Sequence, residues 1–534
     1  MHVSTFLVVL GGLLAGGVAL SVAAQSPSTQ CATRTVAVEN ALPGGTGWRA
    51  LSTTSTPPVQ GYVDTTSATC GQQVSFHLAT LRHAAVPVRL EFWRLGDYRG
   101  LGGRLVWTSG RILAQHPRQW ARIASATKMT SAPWPANFSV RLSSGFPQGL
   151  YEVLVRPIDR RIAPSAIPLV IRDPNQHAAL TLVVATNTAQ MYNTWGGHSA
   201  YSAGAARSTV VSFDRPYFGF GMGLISSEDL PIAVFAEAHG LDIDYATDVD
   251  LNANSPGLMS TNALLFGSHT EYWTSGMRSN LESATASGVN AVFLGGNNMY
   301  WRPDPLGNSS FYRQLGIWRD ATSDPFGAVP ARASTRWRSS PILQPEQATL
   351  GEQFGCTNML LPLQVPGQAP LPGQLPSASQ ITQMGWVFQN TGATPGQQLP
   401  GVIYQETDTP DPSTPEPTGT QLVSSQTFAC PYRGVPVSGW GMTIVPGAGA
   451  SAGVVIDVGT RGWVCQLTAT CVTDPIYSTP ELLAIDANIV SGVNRNDPVV
   501  GGIIQAATLN IFDFVDRGPA AASARQNPYP TIAP

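Results

Sequence analysis

The chain has 534 residues, with thirty basic and thirty-three acidic side chains and a formal charge of -3, which gives no electrostatic case for nucleic acid or for an anionic membrane surface. Only 12% of the residues are charged, while glycine and proline number 53 and 43; ordinary globular proteins carry roughly 25% charged residues. A surface so poor in charge must be covered by Ser, Thr, Asn, Gln and glycine-rich loops, as in many secreted proteins.

Taken in order, the apolar run Phe6 to Leu20 followed by Val22-Ala23-Ala24 before Gln25 predicts a signal peptide over residues 1–24. The run is short for a spanning helix, and no stretch after it is expected to cross a bilayer. The chain is therefore expected to be secreted or extracytoplasmic. Residues 25–59 read as an irregular lead-in. From residue 60 to 175 short runs alternate apolar and polar residues, as in Gln73 to Leu78, Val86 to Trp93 and Leu150 to Val155. In the second, Val86, Val88, Leu90 and Phe92 share one face. Such strands, punctuated by Gly and Pro, predict an antiparallel β-sandwich of immunoglobulin-like type.

The pattern changes near Asp173-Pro174-Asn175, and residues 176–534 read as a parallel α/β domain. Leu180 to Ala185, Thr209 to Phe213, Leu241 to Tyr245, Leu264 to Phe266, Ala291 to Leu294 and Val454 to Val458 are the predicted buried strands. Ser227 is read as the cap of a helix whose apolar face includes Ile232 and Phe235, with Gly240 ending it. Thr274 is read as the N-cap of a second helix carrying Met277, Leu281 and Ala284, stopped by Gly288. Stretches rich in Pro and Gly near 362–379 and 407–420 are expected to be loops or lids, and a last helix is expected from about Asp497 to Phe514. Six cysteines fit an oxidising compartment. Proximity in sequence pairs Cys31 with Cys70, Cys356 with Cys430 and Cys465 with Cys471, one choice among fifteen.

In open α/β sheets ligands bind beyond the carboxyl ends of the strands, and there the chain places His269, Glu271 and Asn297. His269 and Glu271, two apart in extended chain, can point the same way, and Asn297 ends the neighbouring strand. A hydrogen-bond network at strand ends reads equally well from these residues alone. The loop Tyr192-Asn193-Thr194-Trp195-Gly196-Gly197-His198-Ser199-Ala200-Tyr201 falls on the same rim, although aromatic loop residues more often pack than react. Three look-alikes fail on context. Gly449-Ala450-Ser451-Ala452-Gly453 precedes a strand and no histidine follows it. Asp242, Asp244, Asp248 and Asp250 lack the EF-hand glycine and glutamate, and Gly219 to Gly223 has the wrong spacing for a dinucleotide.

Several motifs together resemble the large, or beta, subunit family of N,N-dimethylformamidase. They are Gly61-Tyr62-Val63, Trp93-Arg94-Leu95-Gly96-Asp97-Tyr98 with Gly102-Gly103, Tyr192 to Gly197, Ser212-Phe213-Asp214-Arg215-Pro216-Tyr217, Thr247-Asp248-Val249-Asp250 and His269-Thr270-Glu271-Tyr272-Trp273. The resemblance covers about Gln60 to Tyr300 and, more loosely, the C-terminal part. It implies an immunoglobulin-like domain joined to an α/β domain resembling class I glutamine amidotransferases. It also implies an iron-dependent amidohydrolase, its Fe(III) held by two tyrosines and a glutamate. Carried over by motif, the metal ligands are Tyr151, Tyr192 and Glu271, and the residues at the reaction centre are His269, Asn297 and Glu406. Ser268 and Thr270 depart from the family's usual glycine and acidic residue. The substrate is then expected to be a small amide or formamide, with room for a small second subunit or a homo-oligomer. The alternative function is a secreted or cell-surface binding protein that keeps the scaffold without catalysis.

Overall fold

A strand that alternates apolar and polar side chains must bury one face, and Val86–Leu95 does so. In the computed structural model, which describes residues 34–49, 56–175, 177–267, 269–430, 438–468, 497–526 and 528, Val86, Val88, Leu90 and Phe92 enter one core with Phe76, Leu78, Val153 and Val155. Two sheets enclose this core. One is three-stranded and antiparallel, Val59–Val63, Gln73–Thr80 and Phe138–Arg141. The other runs Ser67–Thr69, Ser165–Arg172, Gly149–Pro157, Val86–Leu95 and Gly103–Thr108, with Ile112–Ala114 also paired to Val86–Leu95.

The outer face of the larger sheet is buried too. Trp93, Leu95, Leu150 and Leu154 pack with Leu180, Ile232, Phe235 and Tyr245 of the following α/β part. A polar clamp fixes the junction: Arg94 Nη2 lies 2.6 Å from Glu237 Oε1, with both side chains almost fully buried. Glu237 also accepts hydrogen bonds from the Tyr245 hydroxyl at 2.7 Å and from Asn40 Nδ2 at 2.9 Å. Arg172 reaches Asp250 at 3.0 Å from a second point on the same sheet. Much of the Trp93 to Tyr98 motif therefore serves to dock one layer on the next.

The large sheet of the α/β part has seven strands in the order Ile243–Thr247, Leu180–Val184, Ala263–Phe266, Asn290–Phe293, Val454–Asp457, Ser438–Pro446 and Gln421–Phe428. The first five are parallel and the last two antiparallel, so the sheet is mixed. Successive side chains enter opposite cores. Leu265 and Val292 pack with Ile232, Phe235 and Ile503, whereas Leu264, Phe266, Ala291 and Phe293 pack with Met277, Leu281 and Ala284 of Ser275–Ala286. Thr274 caps that helix by accepting from Met277 N at 3.1 Å, and Gly288 leaves it at φ 110°.

Several expectations change. Val210–Ser212 joins Gln314–Gly316 and Asp304–Pro305 in a separate antiparallel sheet, because Val211 and Phe213 are buried by Tyr312 and Leu315 rather than by the main layers. Ser227 lies inside a π-helical turn, Ile225–Asp229, that continues into Leu230–Ala238, so it does not cap that helix. The stretch 407–420 begins as strand, since Gln398–Thr409 pairs with Gln353–Gln364 and buries Asp408 completely. Contrary to the expectation that no stretch after the leader is long and apolar enough, the last helix, Pro498–Val515, could cross a membrane by length and composition; here Ile503, Ile504, Ile511 and Phe512 are packed in the core. Cys356 and Cys430 form a disulfide. Cys70 and Cys465 are also disulfide-bonded, but the pairings to Cys31 and Cys471, like the signal peptide, fall outside the described residues.

Candidate active site

Side chains gather where the parallel strands end. Helix Thr186–Tyr192 follows the strand Leu180–Val184 and finishes on Tyr192. His269 and Glu271 follow Ala263–Phe266, Asn297 follows Asn290–Phe293, and Arg461 follows Val454–Asp457. The two middle connections keep pairing beyond the sheet: Met299 N donates to Thr270 O, Trp301 N to Glu271 O and Trp273 N to Trp301 O, each at 2.9 Å. Glu406 arrives from the Gln398–Thr409 strand. A Cβ on Gly296 would stand 2.7 Å from Glu406 O, so the glycine permits that approach. Asn297 and Met299 have φ of 60° and 56°, and Asp408 holds the turn by accepting from Asn297 N at 2.7 Å and Asn298 N at 3.2 Å.

Glu271 is the hub. Its Oε2 accepts from the Tyr192 hydroxyl at 3.1 Å, and the Tyr201 hydroxyl lies 2.6 Å from each of its oxygens. The Tyr272 hydroxyl donates to the Tyr201 oxygen at 2.8 Å. The Tyr192 and Tyr201 rings are stacked with centroids 3.9 Å apart. Buried Arg215 shapes the loop that carries them, donating to His198 O at 3.0 Å and Gln190 O at 2.8 Å. Burial, and then the Glu271 charge, push both phenols well above the usual range, so without a cation they remain protonated donors. Tyr201 is 38% exposed while His269, Glu271 and Asn297 are buried, so the site meets solvent beside Tyr201.

A second carboxylate completes the cluster. His269 Nε2 lies 3.3 Å from Glu271 Oε2 and 3.0 Å from Glu406 Oε2, at ion-pair distance but off the hydrogen-bond direction. Glu406 Oε1 accepts from Asn297 Nδ2 at 3.2 Å, and its Oε2 lies 3.2 Å from Arg461 Nη1. Arg461 is tied on its other side to Glu228 of the π-helical turn. Burial raises the Glu406 pKa, but His269 and Arg461 outweigh it and hold the carboxyl down at about 2. For His269, burial and Arg461 favour the neutral ring, and the Glu406 charge, with the close approach of the Glu271 and Glu406 carboxylates, overcomes them, lifting it to about 9. At neutral pH the pair is imidazolium and carboxylate.

Five of the six residues singled out by sequence, Tyr192, His269, Glu271, Asn297 and Glu406, are brought together. Tyr151 is not. It faces the sandwich core, its hydroxyl donates to Pro147 O at 2.6 Å, and the charges that act on it are those of Arg94, Glu39 and Arg104. Strand alternation decides this: Leu150 and Leu154 face the α/β part, so Tyr151 points inward. The second tyrosine on Glu271 is Tyr201, the last residue of the aromatic loop, and the signal for it was its position on the same rim as Tyr192. Arg461 and Glu228 carried no motif. Among the described residues no three His, Cys, Asp or Glu side chains are arranged to hold a metal ion, so an oxygen site here depends on the phenols.

The profile of a family described as N,N-dimethylformamidase beta subunit-like, C-terminal, matches residues 89–474. The N,N-dimethylformamidase beta subunit of Paracoccus aminophilus is 36% identical over 127 residues, which are 22% of this chain and 17% of that one. The aligned part thus spans less than a fifth of that relative.

Proposed function

The chain belongs to the N,N-dimethylformamidase beta subunit-like family, and on that premise we propose that it hydrolyses the C–N bond of a small amide or formamide with iron as its cofactor. One observation carries the reading: two phenol oxygens lie 2.6 to 3.1 Å from the Glu271 carboxylate, beside a histidine and a second carboxylate. Tyr192, Tyr201 and Glu271 fit the group, since hard oxygen donors that become anionic suit Fe(III). Bound there, the ion supplies Lewis acidity, polarising an amide carbonyl and acidifying water.

The remaining roles belong to the protein. His269, held as imidazolium by Glu406 and Glu271, can deliver a proton to the departing amine nitrogen. Glu406 at about 2 is too weakly basic to abstract a proton efficiently near neutral pH; it orients His269 and Asn297. Asn297 has a second Nδ2 proton to offer a developing oxyanion. Arg461 and Glu228 fix Glu406 from behind.

The test is purified protein analysed for iron, for a phenolate-to-iron absorption band and for amine release from small amides, beside Glu271→Ala. About one iron per chain with the band, all lost in the variant, is the expected result. Equal metal content in both proteins would sink the proposal and favour a binding scaffold. We further propose that the β-sandwich is immunoglobulin-like over residues 60–175, that residues 176–534 are amidotransferase-like, and that the chain is exported, with the Cys356–Cys430 disulfide in support. The relative's printed name makes it one subunit of an assembly, and a small second subunit or self-association is proposed here on that basis.

A further inference from the structure

Arg319 stands at the mouth of the site. Its guanidinium carbon is 4.2 Å from the Tyr201 ring centroid and 4.9 Å from that of Trp301. Because the Tyr192 ring already covers one face of Tyr201 at 3.9 Å, Arg319 must occupy the other. The guanidinium is thus layered between the exposed tyrosine of the Glu271 cluster and Trp301. Its Nη2 donates to the Tyr272 hydroxyl, which in turn donates to Tyr201.

This cation differs from the buried arginines elsewhere. Arg94, Arg172, Arg215, Arg278, Arg302 and Arg461 each direct at least two donors to carboxylate or carbonyl oxygens. Among the described residues Arg319 makes the Tyr272 bond, its buried Nε has no partner, and no carboxylate is at ion-pair distance from it. Glu271 is near enough for its charge to act on Arg319 but is already bonded by Tyr192 and Tyr201. A guanidinium with an unpaired Nε keeps a donor in reserve, and the fork geometry of this group suits a planar oxyanion.

The backbone supports a functional placement. Arg319 sits at φ 65°, a left-handed conformation that a long side chain rarely adopts. It is held there by Arg319 N donating to Ser334 O at 2.8 Å and by Thr335 Oγ1 donating to Arg319 O at 3.2 Å. Strain of this kind persists where the surroundings over-determine it, and it clusters at ligand-binding positions.

We propose that Arg319 is an anion-recognition residue of the active site and that the substrate is an amide bearing a carboxylate. The word amide rests on the proposed function; the carboxylate rests on Arg319 alone. Two probes of matched shape separate these parts: N-formylglycine, which is anionic, and N-formylglycinamide, which is neutral. Iron-loaded wild-type protein should bind the acid at least about tenfold more tightly by calorimetry, the scale of a charge-assisted hydrogen bond. It should also release formate from the acid with a correspondingly lower KM. In Arg319→Gln the ratio between the two probes should fall below about twofold, with iron content and the phenolate band retained; Arg319→Lys should recover part of it. Because the readout is a ratio between probes, a general loss of folded protein cancels. Equal binding of the two probes by wild type, or a ratio unchanged in Arg319→Gln, overturns the proposal. A binding preference that depends on Arg319 without formate release from either probe would leave anion recognition standing and sink the amide-hydrolase reading.

Discussion

Tyr151→Phe and Tyr201→Phe should have opposite phenotypes, and the structure sets the size of each. The Tyr151 hydroxyl, 1% exposed, makes one bond, 2.6 Å to Pro147 O. Its removal strands a buried carbonyl, which costs about 1–3 kcal/mol of stability, and touches no atom of the Glu271 cluster. Tyr201 lies 2.6 Å from both Glu271 oxygens and 2.8 Å from the Tyr272 oxygen. If iron is held as proposed, loss of the Tyr201 hydroxyl removes one of the two phenol donors. Even outer-shell partners of a metal are worth roughly 10–100-fold in affinity, so iron affinity should fall by more than about 100-fold and the phenolate band by at least half. The measurements are iron per chain by emission spectrometry, the visible spectrum on iron titration, and urea unfolding followed by circular dichroism. Loss of iron in Tyr151→Phe with retention in Tyr201→Phe would refute the placement of the site described above.

Three further outcomes are expected. Glu152 is buried, both its oxygens lack a hydrogen-bond partner among the described residues, and burial raises its pKa from 4.5 to about 8. Above its ordinary pKa the unfolded chain has lost a proton that the folded chain keeps, so stability falls as pH climbs through that window and levels off above it. Glu152→Gln should therefore match wild type near pH 4 and exceed it at pH 8 by up to roughly 4 kcal/mol; a difference independent of pH would contradict the assignment. Arg94→Met leaves Glu237 charged in the buried junction and should cost about 3–5 kcal/mol, much of it recovered in Arg94→Met with Glu237→Leu; strictly additive unfolding energies would argue against the clamp. Asp408→Asn replaces an acceptor of two peptide N–H groups at Asn297 and Asn298. It should lower kcat for amide hydrolysis by about tenfold or more while iron binding stays within about twofold, as measured by steady-state assay and iron titration.

Periodicity made the scaffold readable. The alternation of Val86, Val88, Leu90 and Phe92 and the apolar runs at Leu264 and Ala291 report which faces are buried, because the pleat sends neighbouring side chains to opposite sides. Thr274 and Gly288 mark helix ends through backbone groups only a turn away. Val210–Ser212 shows where this stops: its apolar character is correct, but pairing with Gln314–Gly316, more than 100 residues along the chain, leaves no local trace. Ser227 misled for a related reason, since a capping residue and a serine inside a π-helical turn look alike until the preceding turn is seen.

At the site, the rim residues His269, Glu271 and Asn297 follow from strand ends alone, because in a parallel sheet every carboxyl end opens on one side, whereas Tyr192 and Glu406 are carried by the family resemblance. Choosing Tyr201 over Tyr151 does not follow. The direction of the Gly149–Pro157 pleat sends Tyr151 into the sandwich core, and the fold of the Arg215-anchored loop brings Tyr201 to Glu271. Glu406, Arg461 and Glu228 come from a hairpin, a turn and a π-helical turn up to 233 residues apart. The sequence by itself thus determined the strongly periodic strands and the helix that Thr274 caps, and where the strand ends carry chemistry, since those depend on neighbours along the chain; the strands Gln353–Gln364, Gln398–Thr409, Gln421–Phe428 and Ser438–Pro446 left no such signal. Tertiary structure alone decided which phenols share Glu271, which charges surround His269 and which arginine is left without a carboxylate, since each depends on distances between segments that the chain does not encode locally.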